Sequence, residues 1–357
     1  MGLKLSESSQ GLLQPVVSVL ILNWNGKFIL KNCLDSLKLQ TYKNWELVVV
    51  DNASTDDSVE IAMAKFPQAE VFLLRTNLGF ARGNNFGITK TNGKYVILLN
   101  NDTEVEPNFI ETLVKEAEKD DSIASVGCKI VQSDNSVKYC PIYSVEGGFL
   151  FHRTIAGFLR RGKEYTRHFD YHASVVACVG TAVLYRKSVL ERIGMFDPFY
   201  LSNWEDNDLG LRMNIAGFKV VYTPTTIVYH IGGASEGSWL SHKRYTLVVR
   251  NALITYYKNF ELRHALIRTP IVSIMLLGDG LIQWFAGNTQ NGTPLPIMAG
   301  FMKAVSSFIS NFRLIQKNRL VVQQLRKVSD KYLEQTTSIK KVTVRSDFTL
   351  RQEAQIT

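Results

Sequence analysis

Four short apolar runs, each ending in polar residues and followed by a helical pattern, leave few folds open to the first 120 residues. Residues 16–22 (VVSVLIL) are the first, bounded by Pro15 and Asn23; residues 45–50 (WELVVV), 70–74 and 95–99 (YVILL) repeat the theme. Unbroken, β-branched runs of this length suit strands covered on both faces. Between them apolar residues recur at helical spacing. Leu30, Cys33, Leu34 and Leu37 share a face within residues 27–39, and residues 58–65, 84–89 and 107–119 follow. Pro107 stands near the start of its helix, where a missing N–H is harmless. This alternation predicts an α/β fold with a mostly parallel, doubly wound, Rossmann-like sheet flanked by helices. Such sheets bind ligands beyond the carboxyl ends of their strands, which singles out Asn23, Asp51, Asn77 and residues 100–102.

Beyond residue 120 the pattern changes. Residues 122–173 mix glycine, aromatic and basic residues without a period and predict loops and short strands. Residues 175–185 are strand-like and 187–193 helical. Residues 204–217 (WEDNDLGLRMNIAG) open a helix on acids and close it on Gly217. Residues 219–222 and 226–229 predict two short strands, the second leading into His230.

From residue 241 onward there are 17 Lys and Arg against 6 Asp and Glu, so the chain's net charge of +9 comes wholly from this region. Residues 245–260 are helical in pattern. The stretch 270–287 (PIVSIMLLGDGLIQWFAG) is the most apolar, but Asp279 between two glycines interrupts it. It falls short of about 20 uninterrupted apolar residues, which predicts an interfacial or hairpin-like segment rather than a bilayer-spanning helix. Residues 301–325 predict one amphipathic helix with basic residues toward its end. The implied organisation is an extension over 1–15, a catalytic domain over 16–240, a helical region over 241–335 that binds membrane or oligomerises, and a flexible tail over 336–357. Residues 1–15 lack the long apolar core of a signal peptide. Cys33, Cys128, Cys140 and Cys178 have neither zinc-ligand nor redox-motif spacing, which fits a reduced, cytosol-facing location.

Five blocks carry chemistry. In residues 48–58 (VVVDNASTDDS), an acid directly after a buried strand can accept hydrogen bonds from a base or ribose; a capped turn would read the same. In residues 76–88 (TNLGFARGNNFGI), Gly79, Gly83 and Gly87 would let backbone approach a ligand, and Arg82 offers a planar donor fork for a diphosphate. In residues 98–105 (LLNNDTEV), Asn100 and Asp102 end a strand where Mg²⁺ or Mn²⁺ could bind, or where an Asx turn could form. In residues 203–212 (NWEDNDLGLR), three acids in four residues exceed what capping requires, and one could serve as a general base. In residues 228–233 (VYHIGG), His230 follows a strand, as a ligand or as a structural residue.

The order and spacing of these blocks, over residues 17–233, resemble glycosyltransferase family 2 with the GT-A fold, in particular bacterial rhamnosyltransferase-like and galactofuranosyltransferase-like members. The resemblance implies that Asn23, Asp51 and Asn52 line the nucleoside site and that Arg82 lies near the diphosphate. Asn100, Asn101 and Asp102 would occupy the family's Asp-x-Asp position, with Asp102 and His230 on a divalent metal, Mg²⁺ or Mn²⁺. Asp206 would be the catalytic base. Trp204, Glu205, Asp208, Gly180 and Thr181 would line the sugar or acceptor pocket. Asn100 departs from the pattern, since it is neutral where the family has an acid.

The implied activity is inverting transfer from a nucleotide sugar, dTDP-rhamnose first and UDP-sugars next. The acceptor would be a saccharide or polyprenyl-linked precursor in cell-surface polysaccharide assembly such as O-antigen. A catalytically inactive nucleotide-sugar-binding module is the alternative that Asn100 keeps open. The basic, apolar C-terminal region is expected to bind an anionic membrane surface at the inner face of the plasma membrane, or to form a homodimer. No nucleic-acid partner is expected.

Overall fold

A computed structural model describes residues 16–132, 142–146, 149–152, 172–231, 242–285 and 294–337. The expected extension over 1–15, most of the tail, Cys140 and Gly233 lie outside these residues. The first half runs β1 (Val17–Asn23), α1 (Leu30–Lys38), β2 (Trp45–Asp51), α2 (Ser58–Lys65), β3 (Glu70–Leu73), α3 (Gly79–Ile88), β4 (Tyr95–Leu99), β5 (Thr103–Val105), α4 (Phe109–Ala117) and β6 (Ile123–Gln132). Then come β7 (Ile142–Glu146), β8 (Phe149–His152), β9 (Ala173–Ser174), β10 (Ala177–Cys178), β11 (Ala182–Arg186), α5 (Lys187–Ile193), α6 (Glu205–Ile215) and β12 (Lys219–His230). Helices α7 (His242–Asn259), α8 (Leu262–Phe285), α9 (Leu295–Ser310), α10 (Phe312–Gln324) and α11 (Asp330–Thr337) complete the chain.

The main sheet has the order β3-β2-β1-β4-β11-β6-β12-β5, with β9 beside β12. Strands β3, β2, β1 and β4 are parallel, with β1 and β2 in register from Val17 opposite Trp45 to Asn23 opposite Asp51. Strand β11 runs against both β4 and β6, and β12 lies parallel to β6. The sheet is therefore mixed but mostly of one direction, and the strands of that direction end on one rim. One face is covered by α1 and α4 around Val19, Ile21 and Ile97; the other by α3, α5 and α6 around Leu20, Val50 and Leu98. Two-sided burial explains why these strands are uninterruptedly apolar.

Several expectations need correction. Helix α3 begins at Gly79, earlier than residue 84; Gly79 takes a φ of 75°, and the two later glycines serve packing. A Cβ on Gly83 would stand 2.7 Å from Leu22 and one on Gly87 2.5 Å from Leu20, so they bring α3 onto β1 rather than backbone onto a ligand. In the blurred stretch lies β6, ten residues long; Ser125, Gly127 and Lys129 break its apolar pattern. Gly127 is needed there, because a Cβ would meet Cys178 Sγ at 2.4 Å. The two short strands expected over 219–229 are one strand, β12. It holds its pairing with β6 by looping residues 224–226 out between Thr223, opposite Cys128, and Ile227, opposite Lys129.

The apolar stretch near residue 280 is not a hairpin either. Helix α8 runs through Pro270 and through Gly278, Asp279 and Gly280, and Leu262–Ile282 is long and apolar enough to cross a membrane by length and composition. Gly280 lets α8 close on α7 and α9, since a Cβ there would meet Tyr245 Oη at 2.6 Å and Ile297 at 2.9 Å. The amphipathic stretch after it divides at Asn311 into α9 and α10, and α11 continues to Thr337.

Candidate active site

The carboxyl ends of β1 and β2 form a continuous polar platform. Asn23, buried, donates through Nδ2 to Asp51 Oδ1 at 3.1 Å and Ser58 Oγ at 2.8 Å, and accepts through Oδ1 from Asn101 Nδ2 at 2.9 Å. Asp51, also buried, accepts the Ser54 N–H at 2.9 Å and hydroxyl at 2.5 Å, which closes the turn after β2. Asn52 bridges to the next loop, donating to Asn77 Oδ1 at 2.9 Å and accepting the Leu78 N–H at 2.8 Å. Gly26 leaves room for the bond between Asn23 and Asn101, because a Cβ would lie 2.2 Å from Asn23 Oδ1.

At the next strand ends, Asp102 and His230 meet. Their carboxylate Oδ1 and imidazole Nε2 are 3.1 Å apart, and both side chains are largely buried. Antiparallel pairing of β5 with β12 sets Thr103 opposite His230, and the Ile231 N–H donates to the Asp102 carbonyl at 3.0 Å. The carboxylate suits Mg²⁺ or Mn²⁺ while the imidazole favours a transition metal over Mg²⁺, and neighbouring ligands on an octahedral ion about 2.1 Å away lie about 3 Å apart, so the pair fits a divalent cation, Mn²⁺ better than Mg²⁺. The other acid–histidine cluster among the described residues, Glu261, His264 and Asp330, does not. There Asp330 already binds Arg326 at 3.0 Å and the Glu261 N–H at 2.9 Å.

Two hydrogen bonds on residues 180 and 181 link the end of β4, just before Asp102, to helix α6. The Asn100 N–H donates to the Thr181 carbonyl at 2.8 Å, and the adjacent Gly180 N–H donates to Asp206 Oδ2 at 3.3 Å. Asp206 Oδ1 accepts the Asn207 N–H at 2.8 Å. All eleven residues of α6 are buried, between the sheet and α7. Each of its acids must therefore be compensated or carry a shifted pKa. Burial pushes the Asp206 carboxyl up to about 6, against N–H donors from Asn207 and Gly180 that favour its ionised form.

Asp208, two residues on, points elsewhere and corrects the expectation that it lines the pocket. It is fully buried against Lys258 Nζ at 2.8 Å, Arg212 Nε at 2.9 Å and Asn259 Nδ2 at 2.8 Å. Burial alone would raise it, but the Lys258 ammonium and Arg212 guanidinium outweigh that and hold it at about 2. Glu205 is buried at the first position of α6.

The residues entering α6 are unusual. Leu201, Asn203 and Trp204 have φ of 63°, 65° and 74°, a left-handed conformation that costs a non-glycine residue roughly 1–2 kcal/mol each. The Leu201 carbonyl accepts the Ala81 N–H at 3.3 Å, so this stretch abuts the start of α3, where Arg82 is exposed. Arg250 and Asn251 on α7 donate to the carbonyls of Phe199, Tyr200, Ser202 and Asn203. Sequence reading had no signal for them, since their partners are backbone atoms about 50 residues away in the chain.

Residues 18–194 match the family described as Glycosyl transferase family 2. The O-antigen biosynthesis protein RfbC of Myxococcus xanthus is 27% identical over 245 residues, covering 65% of this chain and 19% of that one. The N-acetylglucosaminyl-diphospho-decaprenol L-rhamnosyltransferase of Mycobacterium tuberculosis H37Rv is 27% identical over 228 residues, 58% of this chain and 73% of that one. Several of these relatives are much longer, and four are matched over only 19–42% of their own length. The crystallised mannosyltransferase PcManGT of Pyrobaculum calidifontis, in complex with GDP-Man and Mn²⁺, superposes with a TM-score of 0.52 at 14% identity, over 88% of this chain and 87% of that one, a likeness of fold. Through residues 18–194 and the sheet they build, the chain belongs to glycosyltransferase family 2, on a GT-A fold and with rhamnosyltransferase-like relatives.

Proposed function

We propose that the protein is an inverting glycosyltransferase that moves a sugar from a nucleotide donor to a saccharide or polyprenyl-linked acceptor in bacterial cell-surface polysaccharide assembly. The donor is dTDP-rhamnose in the first instance and a UDP-sugar in the second. The observation that supports this reading is the two hydrogen bonds, Asn100 to Thr181 and Gly180 to Asp206, that link helix α6 to the strand end just before the Asp102–His230 pair. On this reading a buried carboxylate of raised pKa works beside a pair that would bind a cation. The names of the Myxococcus and Mycobacterium relatives support the class of acceptor and sugar.

In this reading Asn23, Asp51 and Asn52 bind the nucleoside. Asp206 accepts the acceptor hydroxyl proton as the new C–O bond forms at the anomeric carbon and the bond to the diphosphate breaks. Arg82 takes up negative charge growing on the leaving diphosphate. Asp102 and His230 would hold Mg²⁺ or Mn²⁺, which when bound supplies positive charge to the diphosphate. Gly180, Thr181, Trp204 and Glu205 line the sugar and acceptor side.

Residues 16–240 serve as the catalytic unit and 241–335 as its anchor. Helices α8 and α9 expose Ile271, Ile274, Met275, Ile282, Met298 and Met302, near Lys303, Arg313 and Lys317 in sequence. Such a face suits in-plane binding to anionic lipid at the cytoplasmic side of the membrane.

The test is a screen of purified protein against nucleotide sugars with a polyprenyl-diphosphate saccharide acceptor, with Mn²⁺ and with chelator, reading released nucleoside diphosphate. The reading expects one donor to stand out and chelator to abolish its turnover. Donor binding without turnover in any combination would favour the inactive module that Asn100 allows.

A further inference from the structure

The left-handed stretch that carries Trp204 into α6 is held from outside its own neighbourhood. Asn251, fully buried on α7, donates through its side-chain amide to three backbone carbonyls, Tyr200 at 3.0 Å, Ser202 at 2.9 Å and Asn203 at 2.7 Å. Its own amide oxygen accepts from Arg250 Nε at 2.9 Å, which fixes the way the group faces. Arg250 Nη2 in turn reaches the carbonyls of Phe199 at 2.8 Å and Tyr200 at 3.2 Å. Two amide hydrogens serving three consecutive-loop acceptors is more than a lone packing contact provides. Without the amide the Ser202 and Asn203 carbonyls would turn to water, with the chain free to leave the left-handed region, while the Tyr200 carbonyl would keep the Ser202 N–H and Arg250.

We infer that Asn251 is a positioning residue for transfer: its amide sets the turn over Leu201–Trp204 that seats Trp204 against Tyr256 and starts α6 where Asp206 meets the Gly180 N–H. The same turn touches the start of α3 through the Leu201 carbonyl, so one buried amide orders the approach to both Asp206 and Arg82. The effect on rate rests on the transfer reading above; the tether itself does not.

The experiment compares full-length wild type with Asn251→Ala by amide hydrogen exchange and by steady-state kinetics. Exchange over residues 200–206 is expected to accelerate on the order of tenfold or more while β1, β2 and β4 keep wild-type rates. The kcat is expected to fall about 100-fold, as for a misplaced catalytic group, with Kd for the nucleoside diphosphate within about threefold of wild type. Gln323→Ala serves as the control. It removes a different tether to α7, at the carbonyls of Lys258 and Asn259, and should leave kcat alone.

Unchanged exchange over 200–206 overturns the tether. Accelerated exchange with wild-type kcat overturns the positioning role and leaves glycosyl transfer intact. A wild-type chain that turns over no donor sinks the transfer reading instead, and the exchange data still decide the tether. Should Asn251→Ala fail to fold, Asn251→Ser, whose hydroxyl reaches one carbonyl at most, takes its place; an unfolded Ser variant also overturns the positioning role.

Discussion

Asp206 and Ile274 both break the ordinary rules of burial, in opposite senses. The first is a carboxylate only 8% exposed on α6; the second is an isoleucine 72% exposed on α8. On α6 the anomaly is electrostatic. A buried acid that has no cationic partner among the described residues is held ready to take a proton, while Asp208 near it is neutralised by Lys258 and Arg212. On α8 the anomaly is hydrophobic, since apolar side chains face outward along much of one helix and ask for a surface to cover them. The comparison separates two uses of an unfavourable placement, one for chemistry at a fixed point and one for adhesion over an area.

The sharpest way to break the comparison is at Asp206. Asp206→Asn should lower kcat by about 10²–10⁴-fold while nucleoside diphosphate binding, by calorimetry, stays near wild type. The base works ionised, so wild-type kcat/KM should fall as pH drops through about 6 and level off above it. Near-normal turnover in the variant, or an acid limb far from that pH, would remove Asp206 from the chemistry.

Next in size is Asp208→Asn, which strands Arg212 without its counter-charge and leaves Lys258 with Asp197 alone. Breaking a buried pair in this way costs about 3–5 kcal/mol, visible as a lower urea midpoint. Asp206→Asn should show no such loss above pH 6, because a carboxyl whose folded pKa is raised is already disfavoured as the anion there. Equal destabilisation by both variants would erase the distinction between the two acids.

The smallest effect belongs to α8. Ile274→Asp with Ile282→Asp should weaken sedimentation with anionic vesicles by about 10- to 150-fold per residue, from about 1.5–3 kcal/mol of apolar burial each, without shifting Tm. Unchanged vesicle binding, with loss of a dimer in analytical ultracentrifugation, would reassign the face to a second copy of the chain.

How much of this was legible in the sequence follows from where each contact partner lies. Strands β1, β2 and β4 were plain because two covered faces demand unbroken apolar runs. Strand β6 was not, because Gly127 answers to Cys178 and not to any local pattern. The acids of α6 announced themselves as a cluster. Which of them stays unpaired depends on Lys258, fifty residues downstream, and no spacing rule reaches that far. Asn251 was invisible for the same reason. Gly83 and Gly87 of α3 are legible as part of a motif but not in purpose, since close packing of a helix on a strand and close approach of a ligand ask for the same residue.

The looped-out residues 224–226 of β12 also reset parity. Thr223 and Ile227 stand four residues apart yet lie opposite adjacent residues of β6, Cys128 and Lys129, so alternation is interrupted there and the pairing with β6 and β5 decides which face His230 takes. Changes of length confined to that kink leave the imidazole beside Asp102. A one-residue slip in the pairing of residues 227–230 would turn it to the far side of the sheet and dismantle the pair without touching either of its members.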